Sequence, residues 1–160
     1  MLKVASFDIV FQEIPGEVTL ALNLSNCPCH CPGCHSQHLA EDIGEELNES
    51  LMDGLIARYG SMITCVAFMG GDAAPEEVAQ WASKLKAENG KLKTAWYSGR
   101  PTYPNNQIIP NTQNPFDYVK LGPYIESLGG LKSPTTNQHL YKRVGDSWED
   151  ITSSFWKKNL

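Results

Sequence analysis

The first third of the chain alternates apolar and polar residues. Phe7, Ile9 and Phe11 recur at every second position, and Val18, Leu20, Leu22 and Leu24 follow the same rule after a Pro15-Gly16 turn signal. Since successive side chains of a strand point to opposite faces, this period of two predicts two half-buried strands. The second strand leads directly into a loop with four cysteines.

The middle of the chain changes to helical spacing and back. Leu51, Leu55 and Tyr59 recur at intervals of four, behind a possible N-cap at Asn48, which predicts a helix that ends at Gly60. The other predicted elements are a buried strand at 63–69, a helix at 75–89, and strands at 92–97, within 116–121 and at 139–144. Strands that alternate with helices favour right-handed βαβ units and a mostly parallel sheet. Only about four such units fit into one domain of 160 residues, which favours a partial, open α/β barrel over a closed one.

Composition excludes several classes of partner. The formal net charge is −5, so the chain offers no basic field for a phosphate backbone, and we expect no nucleic-acid partner. The N-terminus lacks a signal-peptide pattern, and no apolar run approaches the ~20 residues of a membrane span. We therefore expect a cytoplasmic protein with no membrane partner, where clustered cysteines indicate metal or redox chemistry more often than disulfides.

Four of the five cysteines lie within eight positions, in the phrase Cys27-Pro-Cys-His-Cys-Pro-Gly-Cys34. Cys27, Cys31 and Cys34 give a Cys-x3-Cys-x2-Cys spacing, and three such thiolates can hold an iron–sulfur cubane with one iron left open. A structural zinc site would need four ligands, which Cys29 or a nearby histidine could complete. The spacing favours iron–sulfur, with zinc and free thiols as alternatives. We expect Cys29 to face away from the metal.

These residues resemble the cluster loop of the anaerobic ribonucleoside-triphosphate reductase activating proteins, within the radical S-adenosylmethionine (SAM) superfamily. The similarity continues at Gly70-Gly71-Asp72, which resembles the Gly-Gly-Glu-Pro segment of that superfamily. It also includes the phrases 96–100, 116–120 and 136–138, and so runs from about residue 10 to residue 143. The resemblance implies a single radical SAM domain over 1–160, with the partial open (β/α) barrel of that superfamily.

The resemblance also implies cofactors, site residues and partners. The cofactors would be a [4Fe–4S] cluster on Cys27, Cys31 and Cys34, and SAM beside Gly70, Gly71, Asp72 and Ser98. The reaction would reductively cleave SAM and install a glycyl radical on the large subunit of the reductase, with flavodoxin or ferredoxin as the electron donor.

One departure from the superfamily pattern concerns the residue that would hold SAM. Asp72 stands where the superfamily has glutamate, and Pro75 comes two residues late. A shorter carboxylate could still accept a hydrogen bond from the SAM amino group. Alternatively, Asp72 only starts the following helix. Two other functions also stay open: a different small radical SAM reaction, such as activation of another glycyl-radical enzyme or deazaguanine synthesis, and a non-catalytic zinc or iron–sulfur module.

Overall fold

A computed structural model describes residues 2–28, 37–103 and 115–156 of the chain. Its described part forms one sheet of eight strands, in the order β3-β1-β2-β4-β5-β6-β7-β8. The strands are β1 (Lys3–Val10), β2 (Thr19–Leu24), β3 (Glu45–Glu46), β4 (Cys65–Met69), β5 (Lys93–Tyr97), β6 (Tyr118–Leu121), β7 (His139–Val144) and β8 (Ser147–Asp150). The helices are α1 (Glu49–Tyr59) and α2 (Pro75–Glu88), with short 3-10 helices at Gln37–Ala40 and Thr152–Phe155.

The centre of the sheet is parallel: β2, β4, β5 and β6 pair side by side in the same direction. Helix α1 connects β2 to β4, and α2 connects β4 to β5, as predicted from the periodicity. The predicted cap of α1 is confirmed, because the Asn48 side chain accepts a hydrogen bond from the Leu51 amide at 2.9 Å. Because the four central strands are parallel, their carboxyl ends all lie at the same edge of the sheet.

The predicted fold class, a partial open (β/α) barrel of the radical SAM type with a mostly parallel sheet, is wrong. Within the described residues the sheet is mixed: β1 pairs antiparallel with β2 and β3, and β7 pairs antiparallel with β6 and β8. The described part has two α-helices, and its sheet is not closed. The βαβ pattern of the middle of the chain does not continue at its flanks, where strand pairs are made through turns such as Gly145 (φ +62°) between β7 and β8.

The two faces of the sheet are covered differently. Alternate residues of the strands, among them Leu22, Phe68 and Trp96, pack against α1 and α2 in the main apolar core. The opposite face carries a smaller cluster in which Ile14, from the segment between β1 and β2, packs with Ala67 and Ala95. No helix among the described residues is long and apolar enough to cross a membrane.

Candidate cluster and cofactor site

A cavity of about 580 Å³ lies on this second face, toward the carboxyl ends of the parallel strands. Its floor is a row of four residues in register on neighbouring strands: Asn23, Met69, Tyr97 and Lys120. Since adjacent strands lie about 4.8 Å apart, this row spans roughly 14 Å. Such a position, outside the carboxyl ends of parallel strands, is where α/β proteins commonly bind their ligands.

Short segments rather than α-helices form the roof of the cavity. Gln12 and Glu13 cover it from the segment between β1 and β2, and Leu131, Lys132 and Phe155 line it from the C-terminal part. The Tyr97 hydroxyl donates to the carbonyl oxygen of Glu13, which joins floor to roof. Burial raises the pKa of Tyr97 well above its usual range, and the Glu13 carboxylate adds to this, so the phenol keeps its proton.

Cys27 lines one end of this cavity. The preceding Asn26 has a positive φ of 59°, which turns the chain after β2. Its side-chain amide donates to the Asp42 carboxylate at 3.0 Å. The Cys27 amide then donates to the Leu39 carbonyl at 2.8 Å. Cys27 is half-buried and forms no disulfide within the described residues, so its thiol is available as a cluster ligand. Cys29, Cys31 and Cys34 lie outside the described residues, and their predicted roles stay predictions.

Cys65 is buried, whereas Cys27 is half-buried and lines the cavity. Cys65 lies inside β4, is fully buried, and burial raises the pKa of its thiol to about 12, with a further contribution from the Glu17 charge. Because metals bind the thiolate, a thiol held in its neutral form is unsuited to a cluster. Of the cysteines that the structure describes, Cys27 alone therefore fits an iron ligand.

Gly70 and Gly71 both have positive φ values, of 103° and 87°. Gly70 lines the cavity, and its predicted contact with SAM stays a prediction. A Cβ at Gly71 would instead lie 2.6 Å from Val78 Cγ2 and 3.0 Å from Leu24 Cδ1. Gly71 thus allows α2 to pack closely against β2, a structural reason for glycine that does not involve a cofactor.

Asp72 lines the cavity and is 4% exposed. One carboxylate oxygen accepts from the Ser98 hydroxyl, and the other accepts from the Gly99 amide at 2.9 Å. The N-cap of α2 is Ala74 and not Asp72. Asp72 ties the segment after β4 to the segment after β5. The predicted contacts of Asp72 and Ser98 with SAM stay predictions, but the two residues do contact each other.

Lys120 is a cavity residue to which the sequence assigned no role. It is buried on β6, and its ammonium group donates to the Ser98 carbonyl at 3.0 Å and to the Gly122 carbonyl at 2.9 Å. Gln138, which also lines the cavity, donates to the same Gly122 carbonyl at 3.4 Å. A lysine inside a four-residue strand with apolar neighbours was the signal that could have indicated a polar site on one face of β6.

Comparison with known proteins identifies the family. The sequence profile of the 4Fe–4S single cluster domain family matches residues 15–120 of the 160, a span that includes the cysteine loop, β2 to β5 and most of β6. No curated protein and no solved structure matches the chain. The chain therefore belongs to the family of 4Fe–4S single cluster domains, and the cofactor that it binds is an iron–sulfur cluster.

Proposed function

We propose that this protein is a radical SAM activase, which reductively cleaves SAM at its [4Fe–4S] cluster and generates a glycyl radical on anaerobic ribonucleoside-triphosphate reductase. Family membership supports the cluster. The Cys-x3-Cys-x2-Cys spacing and the resemblance of five separate segments support the SAM chemistry and the partner.

The observation that carries the proposal is the convergence of three segments on one cavity. Cys27 follows β2, Gly70 and Asp72 follow β4, and Gly99 follows β5, and all of them line the same space. At about 580 Å³, this cavity lies within the range of roughly 300–1,000 Å³ that is usual for sites of small ligands, which supports a second ligand beside the cluster.

In the proposed enzyme, the thiolates of Cys27, Cys31 and Cys34 would hold the cluster, with SAM beside it. The bound cluster would supply the electron for the reductive cleavage of SAM, the chemistry by which a hydrogen atom is removed from the glycine of the partner. The floor row positions SAM, and the Asp72 carboxylate accepts from its amino group. The segment at Gln12 and Glu13 limits the access of water, which would otherwise compete for the polar groups of the cavity.

The substrate enters where the cavity meets the surface. Cys27 is half-buried, so the described residues do not enclose this end of the cavity. A loop of a large partner protein could fill the opening and bring its glycine within the ~3–3.5 Å that hydrogen-atom transfer requires.

Electron paramagnetic resonance tests the proposal. The reconstituted protein is mixed with SAM, reduced flavodoxin or ferredoxin and the reductase large subunit, without oxygen. We expect 5′-deoxyadenosine and a glycyl-radical doublet, which disappears when the acceptor glycine of the reductase is replaced by alanine or when Cys31→Ser activase is used. Rapid SAM cleavage on a small molecule without the reductase would instead indicate another radical SAM reaction. A stable cluster that binds no SAM would indicate a non-catalytic module.

A further inference from the structure

The two glutamates of the segment between β1 and β2 differ in their hydrogen bonds. The carboxylate of Glu17 is buried and accepts from three side chains, those of Lys93, Thr64 and Tyr118. The Oε2 atom of Glu13 is also buried, but it has no hydrogen-bond partner among the described residues. A buried carboxylate oxygen without a donor lowers the stability of a protein, so the presence of Glu13 needs a reason other than stability.

Glu13 lines the cavity, and two donors of the cavity wall bond to other atoms. The Tyr97 hydroxyl donates its one hydrogen to the main-chain carbonyl of Glu13 and not to the carboxylate. The Lys132 ammonium group donates to the side chain of Gln12 at 3.4 Å. Since an ionised carboxyl group only accepts hydrogen bonds, Glu13 Oε2 can bind a donor that a ligand brings into the cavity.

The position of Glu13 indicates which part of a ligand it meets. In the proposed function, on which this inference rests, the cluster lies at the Cys27 end of the cavity, after β2. Tyr97, the floor residue that bonds to Glu13, belongs to β5, two strands or roughly 10 Å across the sheet. Asp72, the proposed acceptor of the SAM amino group, follows β4 between them. The methionine part of SAM would therefore lie near β2 and β4, and its nucleoside would reach Glu13.

We propose that Glu13 is a specificity-determining residue whose carboxylate accepts hydrogen bonds from the ribose hydroxyl groups of the bound nucleoside. Besides its amino group, SAM carries donors in the ribose hydroxyls and in the adenine amine. The hydroxyls are adjacent, so both can donate to one carboxylate, and an acidic residue binds a ribose hydroxyl in the same manner in dinucleotide-binding folds.

This contact discriminates against ligands that lack the hydroxyl groups. A deoxy analogue leaves the buried Oε2 of Glu13 unpaired, as it is in the described structure without a ligand. Sites with a buried polar group that only the correct ligand satisfies reject the analogue strongly. Glu13 therefore selects ribonucleosides over their deoxy analogues.

Anaerobic calorimetry of the cluster-loaded protein tests the proposal, with SAM as the ligand and with adenosine and 2′,3′-dideoxyadenosine as competitors. Adenosine should displace SAM at a concentration about tenfold or more below that of 2′,3′-dideoxyadenosine, because hydrogen bonds to a charged group are strong. Glu13→Gln should lose most of this preference and should bind SAM more weakly. The control is Glu45→Gln, the same change at an exposed carboxylate of β3, which should retain both properties.

The stability of the ligand-free variants separates a binding role from a structural one. Glu13 Oε2 accepts no hydrogen bond within the described structure, so Glu13→Gln should be at least as stable as wild type in urea. Glu17→Gln changes the same residue type in the same segment but removes a carboxylate that accepts from three donors, and it should be less stable.

Equal displacement of SAM by adenosine and 2′,3′-dideoxyadenosine overturns the proposal and would indicate a contact with the adenine amine instead. A preference for adenosine that Glu13→Gln retains overturns it as well, and so does a loss of stability in that variant. In these cases wild type still binds SAM, so the proposed function is unaffected. A wild-type protein that binds neither SAM nor adenosine overturns both.

Discussion

The indole nitrogen of Trp96 donates to the carbonyl oxygen of Gly70 at 2.7 Å. The Gly70 amide in turn donates to the Tyr97 carbonyl at 2.9 Å, so the peptide groups before and after Gly70 are both hydrogen-bonded to β5. Trp96 is buried against Phe116, with a centroid distance of 5.7 Å. The shape of the cavity wall at Gly70 therefore depends on a side chain that lies on the opposite face of the sheet.

Trp96→Phe should destabilise the fold through this hydrogen bond. The replacement keeps an aromatic ring but leaves the Gly70 carbonyl without its donor, which should cost about 1–3 kcal/mol in the free energy of unfolding. Urea denaturation measures this loss of stability. Trp148→Phe is the matched control, because the Trp148 nitrogen is buried without a partner in the described structure and no hydrogen bond is lost. If both variants lose the same free energy of unfolding, the loss comes from the smaller ring and not from the hydrogen bond.

Asp72→Ala should keep the cluster but weaken SAM binding by about 1.5–3 kcal/mol, the usual worth of a hydrogen bond to a charged group. Ser98→Ala is the control. It removes the hydroxyl that donates to Asp72 and leaves the carboxylate and the Gly99 contact in place. We expect a smaller loss of SAM affinity for Ser98→Ala, measured by anaerobic calorimetry. If both variants lose the same affinity, Asp72 only positions the segment after β5.

Glu17→Gln should destabilise the protein at neutral pH and much less in acid. The buried Glu17 carboxylate accepts from Lys93 at 2.7 Å, Thr64 at 2.7 Å and Tyr118 at 2.8 Å. Burial alone would raise its pKa, but these three donors together lower the pKa of Glu17 below its usual value of 4.5. A carboxyl group with a lower pKa in the folded state stabilises the fold above the unfolded pKa, and this contribution is lost as the pH falls through the folded value.

The measurement is urea denaturation of wild type and Glu17→Gln at pH 7 and at decreasing pH below 4.5. The free energy of unfolding of Glu17→Gln should be lower than that of wild type by about 1–3 kcal/mol at pH 7, and this difference should shrink in acid. Glu49→Gln, at an exposed ion pair with Lys84, should change stability little at either pH, because solvent screens that pair. If the loss of stability in Glu17→Gln does not depend on pH, the negative charge of Glu17 is not what stabilises the fold.

Serine at Cys27, Cys31 or Cys34 should abolish the cluster, because a cubane with fewer than three protein thiolates is poorly held. Cys29→Ser should leave the iron and sulfide content nearly unchanged. Cys65→Ala should also keep the cluster, since Cys65 lies inside β4 as a small buried apolar residue, although a cavity in the core lowers stability. Loss of the cluster in Cys29→Ser would show that Cys29 is a ligand.

Local elements of this fold could be predicted from the sequence, but the partners of the strands could not. The alternation of Leu20, Leu22 and Leu24 fixes β2, and Asn48 fixes the start of α1, because both signals act over a few residues. Strand β3 consists of two exposed glutamates, which pair with β1 through backbone alone and carry no apolar signal. Whether a flanking strand is parallel or antiparallel depends on contacts distant in sequence.

The candidate site likewise has features that the sequence reveals and features that depend on strand pairing. The cysteine loop is visible in the sequence, because its ligand types and spacing are local. The buried contact between Asp72 and Ser98 joins residues 26 positions apart, and only the pairing of β4 with β5 brings them together. A lysine among the apolar residues of β6 indicates a polar position, but only the register of β6 with β5 places Lys120 beside Tyr97 in the cavity.

The small residues Ala67 and Ala95 have a consequence for how this site could diversify. Because they let Ile14 lie directly on the sheet, the cavity is covered here by a single layer of backbone, the eight residues between β1 and β2. A change in the length or sequence of that one connection would alter what the cavity admits, while the strands beneath would keep their register. Related chains could therefore accept different ligands by exchanging a few residues of this segment, and a library of variants confined to residues 11–13, which leaves the buried Ile14 and Glu17 in place, would sample that variation in the laboratory.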